Sequence, residues 1–258
     1  MELLLSTCDA GLREFMDGNP RLNADICIIH QVADDALSPD LQGWPVRTRY
    51  LRFAERGLSR SRNRALAAAS AEICLIADDD VIFYDEGLQR VEDAFLRHPE
   101  ADIITFQMET PFKKYRQRGF WHNGRTIASV TSPEMAFRLE SVLRAGLHFD
   151  ERFGLGAKYV SGEEFIFLSD ALERGLRIRY EPIAIVRNTK QTSGYRFNRP
   201  DLLFSKGAMM ARVFGRRAPA LLFLFAIKKY PQYRRYHSFR HCLGLLHDGY
   251  NDFMRGDR

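Results

Sequence analysis

The chain has 258 residues, 45% hydrophobic and 28% charged, which is enough to bury a sizeable core and excludes an intrinsically disordered protein. The start "MELLLSTCDAGL" carries no basic leader, and nowhere does an uninterrupted apolar run approach the ~18 residues of a membrane span, so an intracellular, cytoplasmic protein is expected. The formal net charge of +5 conceals an asymmetry: Arg187 to the C-terminus holds 15 Lys/Arg against 4 Asp/Glu, net +11, leaving the first 186 residues at 23 against 29, net −6.

In chain order, "ELLLST" (2–7) and "DICIIHQ" (25–31) read as short buried strands, and "VRTRYLRF" (46–53) as a strand with period-two alternation. "LSRSRNRALAAAS" (58–70) is rich in good helix formers, and "EICLIA" (72–77) is again a strand. Leu88, Val91, Phe95 and Leu96 are expected on one face of the next helix, which stops at His98–Pro99 before the strand "ADIITFQM" (101–108). This β-α-β order predicts an α/β fold with a mainly parallel sheet covered by helices on both faces, and ligands of such sheets sit beyond the carboxyl ends of the strands. Cys8, Cys27, Cys74 and Cys242 lack CxxC spacing and are expected to be reduced core thiols rather than zinc ligands or disulfides.

Beyond the carboxyl end of "EICLIA" lie Asp78, Asp79 and Asp80. Three adjacent carboxylates repel one another unless a cation neutralises them, and Mg²⁺ is commonly held by one or two carboxylates plus substrate phosphates. The triplet alone is equally a solvated acidic turn. The preceding "GLSRSRNRA" offers Ser59 or Ser61 as helix caps and places Arg60, Arg62 and Arg64 in or near the first turn, where they oppose the helix dipole and call for a negative partner such as a phosphate. Downstream, "FGLGAKYVSGEEFIFLSDALERG" sets Gly154, Gly156 and Gly162 ahead of Glu163 and Glu164, which open a helix with Phe165, Leu168 and Leu172 on one face. Acidic residues in a first turn are ordinary dipole complements, yet a glycine-flexed loop delivering carboxylates also suits a general base.

"GLSRSRNRALAAASAEICLIADDDV" resembles the donor-binding half of family 2 glycosyltransferases of the GT-A fold, and "FDERFGLGAKYVSGEEFIFLSDAL" resembles their acceptor-side motif. The similarity is greatest to the branch that builds bacterial surface polysaccharides. It implies a GT-A, Rossmann-like domain over 1–195, with a nucleotide-sugar half (1–110) and an acceptor and catalytic half (111–195), followed by a basic helical segment (196–258). It further implies that Asp78 and Asp80 flank a Mg²⁺ or Mn²⁺ ion and the donor diphosphate, and that Asp79 lies near the donor sugar or ribose. Ser6, Thr7, Arg62 and Asn63 would lie near the nucleotide, Glu164 would be the catalytic carboxylate, and Glu163 would stand beside it for the acceptor. The sequence departs from the family pattern at the second strand, which ends in "IHQVADD"; His30, Gln31 or Asp35 would substitute in reading the base. It departs also in having Glu at the catalytic position and Asn188 where relatives often carry a histidine near the metal.

The resemblance implies inverting transfer from a nucleoside diphosphate sugar, with UDP favoured, to a hydroxyl of a saccharide or lipid-linked acceptor, without a covalent intermediate. Of Tyr115, Phe120 and Trp121, Trp121 is the expected acceptor contact and the others are expected to pack. A nucleotidyltransferase would share the acidic strand end and the metal but needs no base at a separate helix start. A nucleic-acid-binding protein would explain the basic tail, which nevertheless lacks a reader motif, and a non-catalytic sugar-binding module is a further alternative. In "APALLFLFAIKKYPQYRRYHSFRHCLGLL" an apolar run at 218–227, too short to span a bilayer, joins Lys228, Lys229, Arg234, Arg235 and Arg240. It reads either as a core helix with a solvated basic face or as a peripheral attachment to an anionic membrane.

Overall fold

A computed structural model describes residues 1–32, 41, 47–188 and 197–256. The chain divides into two compact units, one of Met1–Arg56, Arg60–His148 and Phe167–Lys190, the other of Gly57–Ser59, Phe149–Ile166 and Gln191–Arg258.

The first unit is built on a sheet whose strands are β1 (Glu2–Cys8), β2 (Asp25–Gln31), β3 (Thr48–Phe53), β4 (Ile73–Asp78), β5 (Ile82–Phe83), β6 (Ile103–Glu109), β7 (Phe120–Trp121), β8 (Met135–Arg138) and β9 (Ile178–Arg187). Their order is β3-β2-β1-β4-β8-β6-β9-β5, with β7 also on β9. The side from β3 to β4 is wholly parallel. Beyond it β8 runs antiparallel to both β4 and β6, β6 and β9 are parallel, and β5 and β7 pair antiparallel with β9. The sheet is therefore mixed, and its parallel character is strongest where the sequence shows β-α-β alternation. Parallel strands buried on both faces read as continuous apolar runs, and Leu3, Leu4, Leu5, Ile26, Ile28, Leu75 and Ile76 are all buried.

Helices α1 (Gly11–Gly18), α2 (Leu58–Ala68), α3 (Gly87–Arg97), α4 (Leu139–Arg144) and α5 (Glu163–Glu173) alternate with these strands. On α3, Val91, Ala94 and Phe95 are buried and Leu88 half-buried, but Leu96 is 79% exposed. The expected face was wrong there, because at 100° per residue Leu96 lies about 140° around the helix from Val91. On α5 the buried set is Ile166, Phe167, Leu168 and Ala171, with Phe165 and Leu172 only partly covered, a wider stripe than the single face expected. Cys27, Cys74 and Cys242 are buried free thiols, as expected; Cys8, at the end of β1, is exposed.

The second unit gathers α6 (Pro200–Phe214), α7 (Ala218–Tyr233) and α8 (Phe239–Gly256) with the loop that precedes α5, around a core that includes Phe153, Tyr159, Leu203, Leu222, Tyr233, Leu246 and Phe253. Two glycines set the closeness of α6 and α8. A Cβ on Gly207 would stand 1.9 Å from the Leu246 carbonyl oxygen, and one on Gly249 would stand 1.8 Å from that of Phe204. No described helix is long and apolar enough to cross a membrane.

The glycine crossing yields a test with an unusual sign. In an unhindered helix Gly→Ala stabilises by about 1 kcal/mol, whereas Gly249→Ala is expected to destabilise by about 1–3 kcal/mol because backbone must move to admit the methyl. Chemical denaturation measures it; a stabilised Gly249→Ala would contradict the crossing.

Candidate active site

The first unit sorts the three aspartates of the β4 end into different environments. Asp78, the last residue of β4, receives Arg62 Nη2 on Oδ1 at 3.0 Å and the Ser132 hydroxyl on Oδ2 at 3.1 Å. The same Arg62 nitrogen donates to Ser132 Oγ at 2.5 Å. Arg62 comes from α2 and is only 2% exposed, so its charge must be met by protein groups. Ser132 opens a 3₁₀ turn, Ser132–Glu134, closed by a capping box between Thr131 and Glu134. Buried Glu134 in turn takes Lys113 Nζ at 2.6 Å and the Tyr115 hydroxyl at 2.5 Å. Tyr115 is thereby fixed as a packing and hydrogen-bonding residue.

The negative partners that the arginine-rich helix start demands are thus partly internal. Arg60 and Arg64 reach Glu55 at 4.0 and 3.3 Å, and Arg64 also lies over the Phe53 ring. Neither serine is the helix cap: α2 starts at Leu58, straight after Gly57 at φ +130°, a turn that favours glycine and begins the helix ahead of both. Ser59 Oγ donates to the Phe153 carbonyl at 2.6 Å, and Ser61 is buried.

Asp79 turns back into the protein. Its Oδ2 accepts the Thr7 hydroxyl at 2.7 Å and its carboxylate accepts the Cys8 backbone N–H. Burial pushes its carboxyl above the ordinary value, with the Thr7 bond pulling it back. Gly11, the first residue of α1, makes room: a Cβ there would stand 2.0 Å from Asp79 Oδ2. Ser6 pairs in register with Asp78, and its buried hydroxyl has no hydrogen-bond partner among the described residues, an acceptor or donor available to a bound ligand. His30 has Nδ1 at 2.9 Å from the Tyr50 hydroxyl and Nε2 at 2.8 Å from the Asp9 carbonyl. Gln31 is buried at the end of β2, with its carbonyl accepting Arg56, and Asn63 is half-buried on α2. Asp35 lies outside the described residues.

Asp80 is half-buried in the turn between β4 and β5. Asn188 follows Arg187, the last residue of β9, which pairs with Ile82 of β5. Asn188 is buried and its N–H donates to the Glu109 carbonyl at 3.0 Å. Asp78 is engaged by a guanidinium and Asp79 by Thr7, and among the described residues no three or more His, Cys, Asp or Glu side chains gather into a metal site. Such a strand end fits Mg²⁺ or Mn²⁺ only as an ion held largely by a nucleotide's phosphates. Trp121 is displaced from this end of the sheet. The ladder Trp121–Arg179–Ile104–Ala136–Leu75 runs four strand spacings from β7 to β4, on the order of 20 Å. Its ring is covered by Arg177 and Arg179 at 4.5 and 5.4 Å. β7 pairs at the amino-terminal end of β9, whereas the aspartates lie beyond the carboxyl end of β4.

In the second unit, Gly154 at φ +106° and Gly162 at φ +118° bend the loop that leads into α5. A Cβ on Gly154 would stand 3.4 Å from the Glu163 carboxyl carbon, and one on Gly162 2.8 Å from Met209. Glu163 is buried and Glu164 half-buried. Lys206, on α6, sends its ammonium to Ser161 Oγ at 3.0 Å; burial pulls its pKa below the ordinary value while Glu164 and Glu163 push it back up. Sequence reading missed both Lys206 and Ser132. A lone lysine inside "LLFSKGAMMA" and the capping-box pattern "TSPE" were the available signals.

Arg62→Met should remove the cation that Asp78 and Ser132 share. The expected destabilisation is about 3 kcal/mol, the lower end for a broken buried pair because Asp78 keeps some contact with solvent. Arg62→Lys should recover little of it, since one ammonium does not reproduce the guanidinium fork. Urea denaturation checks both; a fully stable Arg62→Met would remove the clamp from the account.

The model of the family described as Glycosyl transferase family 2 matches residues 16–152, more than half of the chain and the stretch that contains the Arg62–Asp78–Ser132 clamp. No curated protein sequence matches the chain. Among solved structures, the chain is similar to S. aureus TarS 1–349 in complex with UDP-GlcNAc, at 14% identity and a TM-score of 0.60, covering 99% of this chain and 92% of that one. It is similar to the same protein in complex with UDP at 13% identity and a TM-score of 0.60, covering 99% and 91%. A mycobacterial protein matches at 12% identity and a TM-score of 0.54, over 82% of this chain and 74% of that one. These likenesses establish the fold, the GT-A arrangement of a central sheet flanked by helices with a helical C-terminal segment. The chain belongs to glycosyl transferase family 2.

Proposed function

We propose that the protein transfers a sugar, with inversion, from a nucleoside diphosphate sugar to a hydroxyl of a saccharide or lipid-linked acceptor in surface polysaccharide synthesis. The observation that carries this reading is the family match across the acidic strand end and its arginine clamp. UDP is the nucleotide we favour, because the TarS structures named above hold UDP-GlcNAc and UDP. In this reading Arg62 and Ser132 hold Asp78 rigid, Thr7 and the start of α1 hold Asp79, and Ser6 and Asn63 face the nucleotide. Asp80, together with Asn188, would hold a Mg²⁺ or Mn²⁺ ion, and such an ion would supply charge neutralisation to the departing diphosphate.

Glu164 takes the proton of the attacking acceptor hydroxyl, and Glu163, the more buried of the pair, orients the acceptor. The oxygen–carbon bond to the acceptor forms as the bond to the diphosphate breaks on the opposite face of the sugar, so the anomeric configuration inverts. Lys206 supports the two glutamates from its own unit through its charge. The basic C-terminal segment holds the enzyme peripherally at the inner face of the membrane.

Two variants test the reading with a panel of UDP-, GDP- and dTDP-sugars. Asp80→Ala is expected to lose cation-dependent donor binding while keeping its melting temperature; unchanged donor affinity would remove the cation assignment. Glu164→Gln should bind donor normally and lose transfer by about 10²-fold or more, the scale of a general base, with Glu163→Gln milder. The reverse order would make Glu163 the base, transfer at the wild-type rate in both variants would remove the general-base assignment, and no transfer by the wild type from any donor of the panel would end the reading.

A further inference from the structure

Helix α7 is apolar on two opposite sides. Its inner positions Ala218, Leu222, Ala226 and Tyr233 are fully buried. Its outer positions Phe223, Leu224, Ile227 and Tyr230 are 48%, 59%, 51% and 43% exposed, and their spacing of i, i+1, i+4 and i+7 gathers them into one stripe. Isolated exposed apolar residues are ordinary, but a contiguous stripe of four large ones marks an interaction surface.

The charge around the stripe identifies what covers it. Between Asp201 and Asp248 the sequence contains nine Lys/Arg and no Asp or Glu. Arg216 and Arg217 precede α7, Lys228 lies on the flank of the stripe, and Arg234 and Arg235 follow the helix; all five are exposed. A second copy of this chain would oppose cations to cations across the contact, which is unfavourable. The occupant is therefore anionic around an apolar centre. A stripe on the outside of a packed helix, with cations at both ends, matches a helix lying in the plane of a bilayer, where the apolar face enters the acyl boundary and the cations meet anionic headgroups. At 16 residues, about 24 Å, α7 is shorter than the roughly 30 Å hydrocarbon core, so it lies on the membrane instead of crossing it.

We propose that the outer face of α7 is an insertion surface for anionic membranes, with Phe223, Leu224 and Ile227 entering the acyl boundary and Tyr230 at headgroup level. This deepens the peripheral attachment proposed above and rests on it. It requires more than electrostatic adsorption by the basic tail, and its readout does not involve sugar transfer.

The test is co-sedimentation of the full chain with vesicles of phosphatidylcholine alone and of phosphatidylcholine mixed with phosphatidylglycerol, at low and high salt. Wild type should bind the mixed vesicles at low salt, more weakly at high salt, and bind phosphatidylcholine alone least. Leu224→Asp with Ile227→Asp should lower binding to mixed vesicles by about 100-fold or more, since each replaces an inserted apolar group by a charge repelled by the surface. A tryptophan introduced as Leu224→Trp should be quenched by brominated lipid. UDP binding, measured on every variant, should be unchanged; its loss with vesicle binding intact would count against the donor site and leave the α7 surface standing. Equal vesicle binding by the double-aspartate variant, or an unquenched tryptophan on bound protein, would overturn insertion. No binding to either vesicle at low salt would overturn the membrane assignment in favour of an acidic protein partner. Self-association abolished by the same substitutions would assign the face to a second copy and overturn the proposal as well.

Discussion

A guanidinium sealed from water has to be answered by a carboxylate, and in this protein the answer to Arg62 is Asp78. Everything at the acidic strand end follows from that pairing. Desolvating an arginine is costly unless its charge is paired and its N–H groups are used, so Asp78 is held at the end of β4 and Ser132 is drawn in between the two. Ser132 belongs to a turn that Glu134 caps, and Glu134 anchors Lys113 and Tyr115. A chain of charge-assisted bonds thus runs from α2 through the end of β4 to the segment after β6. Three adjacent aspartates become tolerable in part because one is neutralised by Arg62 and another is placed on Thr7 and the Cys8 amide.

The second unit solves a comparable problem with the opposite sign. Glu163 and Glu164 open α5, where the helix dipole favours them, and Lys206 comes from α6 to sit near both with its ammonium on Ser161. Burial lowers the pKa of the ammonium, and the two glutamates oppose that shift by stabilising its charge. Gly162 lets the loop approach Met209 more closely than a Cβ would permit, and the positive φ of Gly154 and Gly162 bends the loop. In both units a partly or fully buried cation lies among acidic residues.

Much of this was legible in the sequence, for a physical reason. The parallel strands β1, β2 and β4 each have a continuous apolar run at their centre with polar residues at the ends, so their places could be read to within a residue or so. The two-residue β5 and β7 and the four-residue antiparallel β8 carry too short a pattern to be seen, and they are what make the sheet mixed. The acidic triplet was visible, but the division of labour within it was not. It is decided by Arg62, Ser132 and Thr7, which lie 16, 54 and 72 residues from their partners. Leu96 and the Ser59 and Ser61 caps were misread through local geometry, while Lys206 depends on packing that no local pattern encodes.

The proposed function has its most direct test at the acidic strand end: with Asp78 paired to Arg62, we propose that a divalent cation binds there together with the nucleotide and not before it. Titrating wild-type protein with Mn²⁺, following free ion by electron paramagnetic resonance with and without UDP, tests this directly. The account predicts weak Mn²⁺ binding to the protein alone, strengthened at least about tenfold by UDP, with UDP affinity raised equally by Mn²⁺ as linkage requires. A tight stoichiometric Mn²⁺ site in the absence of nucleotide, or UDP binding indifferent to Mn²⁺, would contradict it.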